Sequence, residues 1–282
     1  MKSISLQLVS AILLFFAPLA LAAQEIAVLS FNIRYASFGE THKDWEQRKE
    51  GVFSMLKGYD FIGMQEVVPL QMEEIALKTD GEYAYFFRTR EKDPSQGEGC
   101  PVIYNKARWE ALSSGHFWLS DTPGIDGSNT WGAAFNRMVS YGIFRERVSG
   151  DSILVINTHF DHVSQSAREK STDLILERFK KSISLMPAVF MGDLNVTPDN
   201  PVYLKIIGES SLIDSYAKKR HPRKANGATF HGWDEQPPVE RIDFIFVSPL
   251  LRVKSCEVLH DKYNGNYPSD HFPIKAVLKK KP

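Results

Sequence analysis

The stretch "YPSDHFPI", residues 267–274, places an acid and an imidazole side by side at the start of a strand. The tyrosine and proline that open it indicate a turn, and the apolar residues that close it indicate a buried strand. Asp270 and His271 lie between the two. A buried carboxylate is costly unless it is paired or holds a metal ion. The stretch therefore indicates that this strand begins at a polar site.

Further apolar runs rich in β-branched residues precede this one along the chain. Several are nearly continuous in apolar character, as strands buried on both faces of a sheet are. The runs predict strands at 26–33, 59–66, 100–105, 152–159, 187–195, 241–248 and 272–278.

Helical patterns occupy several of the intervals between these runs. Periodic apolar residues predict helices over 44–57, from Pro69 onward, over 164–183 and over 200–207. Asp44 is the predicted N-cap of the first helix, and Gly58 its C-terminal stop. Strands outnumber helices, and the longer helices follow three of the strands. This order favours packed sheets covered by helices over a simple barrel.

The first 23 residues read as a secretory signal peptide. One lysine precedes an apolar run that ends at "ALAA", with small residues at the spacing of a cleavage site. The run is shorter than a spanning helix and Pro18 interrupts it, which argues against an uncleaved membrane anchor. We therefore expect export to the periplasm or the extracellular space, and one domain over residues 24–282. We expect a monomer without stable membrane insertion.

The charge balance argues against a protein that depends on gripping a nucleic-acid backbone. Lysine plus arginine equals aspartate plus glutamate, 34 of each, whereas such proteins usually carry a basic excess. The one strong basic run, "KKRHPRK" at 218–224, is either a steering patch for a polyanion or a solvated loop. Cys100 and Cys256 are far apart in sequence, and buried free thiols are the preferred reading over a disulfide.

Acids, amides and histidines interrupt the predicted strands near their ends. Each one alone has an ordinary explanation, such as a turn former or a solvated strand end. The recurrence across six strands is harder to dismiss, and a pocket built from such oxygen-rich side chains suits Mg²⁺ or Mn²⁺. These residues are Asn32, Glu66, His159, Asp161, Asp193, Asn195, Asp243, Asp270 and His271. No H-E-x-x-H or paired C-x-x-C pattern supports a zinc site.

The ordered set "FN-I", "GMQEV", "NTHFDH", "GDLN-TP", "RIDFIFVS" and "PSDHFPI" resembles the deoxyribonuclease-I-like endonuclease/exonuclease/phosphatase superfamily over residues 26–279. The segments "GHFWLSDTPG" and "EGCPVIYN" resemble a secreted bacterial branch of it. The resemblance implies an α/β four-layer sandwich, with two mainly antiparallel β-sheets flanked by helices. It also implies an active site at one end of the sheets that hydrolyses phosphate esters.

The resemblance assigns roles to the polar strand ends. Glu66 and Asp270 match the metal-binding acids, and Asn32 matches an amide that supports the metal and the phosphate. Asp193 matches the acid that orients or deprotonates the attacking water. His271 matches an imidazole that faces the phosphate. The remaining catalytic matches are Asn195 beside the water, Asp243 orienting His271, and His159 as a second phosphate-facing histidine.

Three more residues are candidates for substrate binding. Arg34 stands where abasic-site endonucleases carry an acid. It favours a single metal and either clamps a phosphate oxygen or pairs with an acid. Asp161 follows His159 by two residues and would share its face on a strand, so it would pair with His159 or bind substrate. Arg137 is a candidate phosphate contact. Trp118, Trp131 and Trp233 are expected near the rim, where they could stack on a base or a sugar.

The sequence thus predicts an exported phosphoesterase that uses Mg²⁺ (or Mn²⁺). Its substrate would be a phosphodiester or phosphomonoester of a nucleotide, oligonucleotide, phosphosugar or phospholipid headgroup. A secreted nuclease that degrades DNA or RNA is the first alternative. A non-catalytic binding module on the same fold is the alternative from a different class. A carbohydrate-binding β-sandwich does not explain the acid–histidine set.

Overall fold

The structure is a computed structural model, and it describes residues 24–39, 43–219, 227–233 and 240–282. The predicted signal peptide at 1–23 and most of the basic run at 218–224 lie outside the described residues.

The described chain forms twelve strands and four helices. The strands are β1 (Ile26–Asn32), β2 (Phe61–Gln65), β3 (Tyr83–Phe86), β4 (Val102–Asn105), β5 (Trp109–Trp118), β6 (Met138–Glu146), β7 (Ser152–His159), β8 (Ala188–Asp193), β9 (Ile213–Asp214), β10 (Asp243–Val247), β11 (Leu251–Val258) and β12 (Ile274–Lys280). The helices are α1 (Trp45–Ser54), α2 (Pro69–Lys78), α3 (Gln165–Leu185) and α4 (Pro201–Glu209).

The strands form two six-stranded sheets with matching patterns. The first sheet has the order β11-β12-β1-β2-β4-β3, and the second has the order β5-β6-β7-β8-β10-β9. Each sheet holds one parallel pair, β1 with β2 and β7 with β8, and its other pairs are antiparallel. In each parallel pair a helix makes the crossover, α1 in the first sheet and α3 in the second.

Three apolar interfaces separate four layers. The sheets pack face to face through residues such as Phe61, Val155 and Ile245. Helices α1 and α2 cover the outer face of the first sheet, where Trp45 and Ile75 pack against Leu29. Helices α3 and α4 cover the second sheet through Ile175, Phe179 and Ile206. The predicted four-layer α/β sandwich is confirmed.

Helix starts follow capping chemistry in most cases. The Ser164 hydroxyl accepts the Ala167 N–H at the start of α3, and Asn200 accepts the Val202 N–H at the start of α4. Asp44, the predicted N-cap of α1, accepts the Gly39 N–H instead and makes no side-chain cap to the helix. Its carboxylate therefore fixes the preceding loop.

The strands missing from the sequence prediction are β6 and the four at the sheet edges, β11, β3, β5 and β9. Edge strands face solvent on more sides, so their apolar pattern is broken. Strand β11 alternates exposed Arg252 and Lys254 with buried Leu251 and Val253. Charged residues on an edge also discourage pairing with another chain.

Both cysteines are buried and free, as expected. Among the described residues, no helix combines the length and apolar character needed to cross a bilayer.

Candidate active site

The two parallel pairs bring polar strand ends to one end of the sandwich. Asn32, His159 and Asp193 are the last residues of β1, β7 and β8, and Glu66 directly follows β2. Asp243 begins β10 opposite Asp193, because the two strands run antiparallel. A cleft of about 620 Å³ opens there, a size typical of small-molecule sites.

The amide of Asn32 joins the two sheets at the floor of this cleft. Its Nδ2 donates to Glu66 Oε1 and to Asp193 Oδ2, both at 3.0 Å, while its Oδ1 accepts the Arg34 N–H. The two carboxylates accept only, so the nitrogen must face them. We placed Asn32 in the metal-binding set, and that role stays a prediction. The structure shows that its nitrogen bridges the two acids, while its Oδ1 accepts one hydrogen bond and keeps a second lone pair.

Three residues of the site adopt left-handed backbone conformations. Arg34, Glu66 and Asn195 have φ values of 53°, 62° and 50°. Such conformations cost about 1–3 kcal/mol outside glycine and persist only where the surroundings enforce them. Asn195 is held by its N–H to Asp193 Oδ1 and by its side-chain amide to the Phe160 carbonyl. The local strain marks these turns as functional candidates.

His271 lies between two buried carboxylates. Its Nδ1 is 2.8 Å from Asp243 Oδ2, and its Nε2 is 3.7 Å from Asp193 Oδ2. Burial alone would lower the pKa of His271, but the charges of Asp243 and Asp193 raise it to about 10. Burial, with the nearby Asp243 charge, raises the pKa of Asp193 to about 7. The site therefore holds an imidazolium beside a carboxylate that gains its proton near neutral pH.

His159 is a neutral imidazole. Burial lowers its pKa well below the usual value, and the charge of Arg137 adds to this effect. Its Nε2 lies 3.0 Å from the side-chain nitrogen of Asn195, which donates to it. His159 lines the cleft, but as a neutral group tied to Asn195.

Glu66 and Asp270 both line the cleft with lone pairs to spare. Each Glu66 oxygen accepts one hydrogen bond, from Asn32 Nδ2 and from the Tyr35 N–H. Asp270 accepts from Arg34 Nη1 at 3.1 Å and from the Ser269 hydroxyl. Each carboxylate oxygen can accept twice, so these hard oxygen donors fit Mg²⁺ or Mn²⁺. The contact with Asp270 also shows that Arg34 pairs with an acid, which was one of its two predicted roles.

A second cluster of side chains, two acids and a histidine, is compact enough to be considered as a cation site. Ligand atoms of Asp193, Asp243 and His271 all lie within 4.8 Å of one another. All three side chains are buried, and the His271 Nδ1 is already engaged by Asp243. This arrangement suits holding and moving a proton better than binding a cation, so Glu66 and Asp270 remain the better metal candidates.

Asp161 does not take the position we expected. Strand β7 ends at His159, so the shared face of a strand does not extend to residue 161. The Asp161 carboxylate is buried and accepts the backbone N–H groups of Ala134, Phe135, Val163 and Ser164. It holds two loops together rather than pairing with His159 or presenting itself to substrate.

Arg137 lies where a phosphate contact was predicted. It lines the cleft and is only 5% exposed. Its Nη2 lies 3.3 Å from His162 Nδ1, while Nε and Nη1 have no hydrogen-bond partner among the described residues. Nε faces Asp161 Oδ2 at 3.8 Å, an ion pair too long for a hydrogen bond. A buried guanidinium whose Nη1 makes no hydrogen bond is suited to an anion.

Several cleft residues escaped the sequence analysis. They are Tyr35, Arg90, Glu98, Phe135, His162, Phe230, Glu240 and Ile242. The predicted rim aromatics do not line the cleft. Trp118 is buried and donates to the Arg90 carbonyl, Trp131 donates to Asp121, and Trp233 contacts His231. The cleft aromatics instead lie in loops without a regular pattern.

Arg48 of α1 fixes the loops that carry Arg34 and Asp270. It is 2% exposed, and its guanidinium donates to five backbone carbonyls. They belong to Ile33, Arg34, Tyr35, Lys43 and Pro268. Burial lowers the pKa of Arg48 to about 10, which leaves it charged at neutral pH. A charged helix residue usually faces solvent, so no sequence pattern indicated this role.

We expect Arg48→Lys to lower the free energy of unfolding by about 3 kcal/mol, because a lysine offers three donors and leaves buried carbonyls without partners. Urea unfolding measures this. Arg145→Lys is the matched control, since the Arg145–Glu110 pair is exposed and solvent screens it. Equal stability of the two variants would contradict the role of Arg48.

Comparison with known proteins gives consistent relatives. A sequence model of the endonuclease/exonuclease/phosphatase family matches residues 29–271. A family protein from Bacteroides thetaiotaomicron superposes with a TM-score of 0.86 at 31% identity, over 92% of this chain and 99% of that one. A mannosyl-6-phosphatase from Bacteroides thetaiotaomicron gives 0.84 at 32% identity, over 90% and 99%. The exoribonuclease subunit Ccr4 of Candida albicans is 26% identical over 84% of this chain, which spans only 38% of Ccr4.

Proposed function

The chain belongs to the endonuclease/exonuclease/phosphatase family, and from this premise we propose that it is an exported, divalent-metal-dependent phosphoesterase acting on phosphorylated sugars. The observation that carries the proposal is the convergence of Glu66, Asp193, Asp270 and His271 on one cleft. The likeness to a mannosyl-6-phosphatase supports a sugar phosphate as substrate. Export rests on the signal-peptide pattern of residues 1–23.

The charges of the cleft suit hydrolysis of a phosphate ester. A cation held by Glu66 and Asp270 would stabilise negative charge on the phosphate oxygens and orient the ester. Asp193 accepts the proton of the attacking water, since its pKa of about 7 matches the working pH. His271, held as an imidazolium by Asp243, donates from Nε2 to the phosphate, and Arg137 adds the donors of its Nη1.

A nuclease is the second reading within the same chemistry, supported by the likeness to Ccr4. The balanced charge of the chain and the small cleft favour a small substrate over a nucleic-acid strand. A binding module without turnover is the reading from another class.

We expect the protein to hydrolyse p-nitrophenyl phosphate faster than bis(p-nitrophenyl) phosphate in Mg²⁺ or Mn²⁺, and neither ester in EDTA. Glu66→Ala should reduce turnover at least about a hundredfold, because it removes a metal ligand. Glu110→Ala, which removes an acid of an exposed ion pair, is the control and should retain activity.

The outcomes of this assay separate the readings. Faster diester cleavage would favour the nuclease. Metal-independent turnover, or full activity of Glu66→Ala, would contradict the proposed site. No turnover on either ester would contradict the enzyme assignment for these substrates and favour the binding module.

We expect a bell-shaped dependence of kcat/KM on pH. Asp193 must be ionised to accept a proton, so activity is lost as pH falls through about 7. His271 must be protonated to donate, so activity is lost as pH rises through about 10. Asp243→Asn removes the charge that raises the pKa of His271, so the alkaline limb should move to lower pH by at least about one unit. An unmoved alkaline limb in this variant would contradict the role of Asp243.

A further inference from the structure

An aromatic wall flanks the cleft beside Arg137. Phe135 and His162 stack with their ring planes 22° apart and their centroids 5.7 Å apart. Both line the cleft. Phe135 is 48% exposed although it is a large apolar side chain, and it belongs to none of the three hydrophobic clusters formed by the described residues. We call these two side chains the Phe135–His162 wall.

The wall is held in place by buried groups. It comes from two loops, one before β6 and one after β7. Asp161 fastens both of them, because its carboxylate accepts two N–H groups from each loop. Asp161 is 1% exposed, so its bonds are shielded from water. The wall is therefore preorganised rather than dependent on a ligand for its shape.

Two arginines of the cleft contact the Phe135–His162 wall. The Arg90 guanidinium carbon lies 4.9 Å from the centroid of the Phe135 ring, within cation–π range. Arg137 Nη2 lies 3.3 Å from His162 Nδ1. Among the described residues Nη1 of Arg137 has no hydrogen-bond partner, and Nε has only the Asp161 carboxylate at 3.8 Å. A phosphate bound by Arg137 would therefore place the rest of the ester next to the wall.

We propose that the Phe135–His162 wall is the subsite for the alcohol part of the ester and that it receives a pyranose ring. An aromatic face carries negative potential, which attracts the polarised C–H groups on the flat side of a pyranose. Arg90 and its partner Glu98, 2.8 Å apart, also line the cleft and offer hydrogen bonds to ring hydroxyls. The proposed function, hydrolysis of a phosphorylated sugar, is the reason to place a pyranose rather than a nucleobase here. The inference rests on the proposed function, since it needs a phosphate ester in the cleft.

The experiment compares a ring substrate with an acyclic one that breaks the same kind of bond. Mannose 6-phosphate, glucose 6-phosphate, glycerol 3-phosphate and adenosine 5′-monophosphate are assayed with wild type and Phe135→Ala. The ratio of kcat/KM for the better hexose phosphate to that for glycerol 3-phosphate should fall about tenfold in the variant, through loss of aromatic contact. Tyr85→Ala removes a similarly exposed aromatic, 45% exposed, that does not line the cleft, and should leave the ratio unchanged.

Other outcomes overturn the inference in distinguishable ways. If Phe135→Ala leaves the ratio of kcat/KM values unchanged, with or without an equal loss of activity on both esters, Phe135 does not contact a ring. This outcome would overturn the subsite alone. A selective loss on adenosine 5′-monophosphate would overturn the sugar in favour of a base. If the wild-type protein hydrolyses none of the four esters, the proposed function is overturned as well.

Discussion

The side-chain amide of Asn32 links an acid of each sheet at the cleft end of the sandwich, and the candidate site depends on this link. Asn32 ends β1 in the first sheet, and its nitrogen donates both to Glu66 of the same sheet and to Asp193 of the second. Two carboxylates brought this close repel each other unless a donor or a cation lies between them. The fold can therefore place Glu66, the proposed metal ligand, beside Asp193, the proposed proton acceptor, because the amide compensates both.

The surrounding charges extend the same logic. His271 as an imidazolium offsets Asp193 and Asp243 from the other side, and Arg34 offsets Asp270. Arg48 holds the loops that carry Arg34 and Asp270 by donating hydrogen bonds to their backbone carbonyls. The opposing sheets hence meet at a set of acids and bases that compensate one another, in which removal of one member leaves another uncompensated.

The sequence predicted what repeated patterns encode. Strands buried on both faces are continuous apolar runs. The polar residues that interrupt them near their ends converge because both parallel pairs end at the same end of the sandwich. Edge strands such as β11 were missed because solvent on one side removes that continuity. Asp161 was misplaced because the alternation of a strand stops where β7 ends. Arg48 and Phe135 gave no pattern, since their partners come from loops that only the tertiary fold brings together.

The most direct test is calorimetric titration of Mn²⁺ into wild type and Asn32→Leu, a variant of similar size without hydrogen-bond donors. We expect the variant, shown to be folded by circular dichroism, to bind the ion about 10–100-fold more weakly, as when a supporting partner of a metal ligand is lost. Equal affinity in the two proteins would show that the carboxylates hold their positions without the amide, and would contradict the bridging role of Asn32.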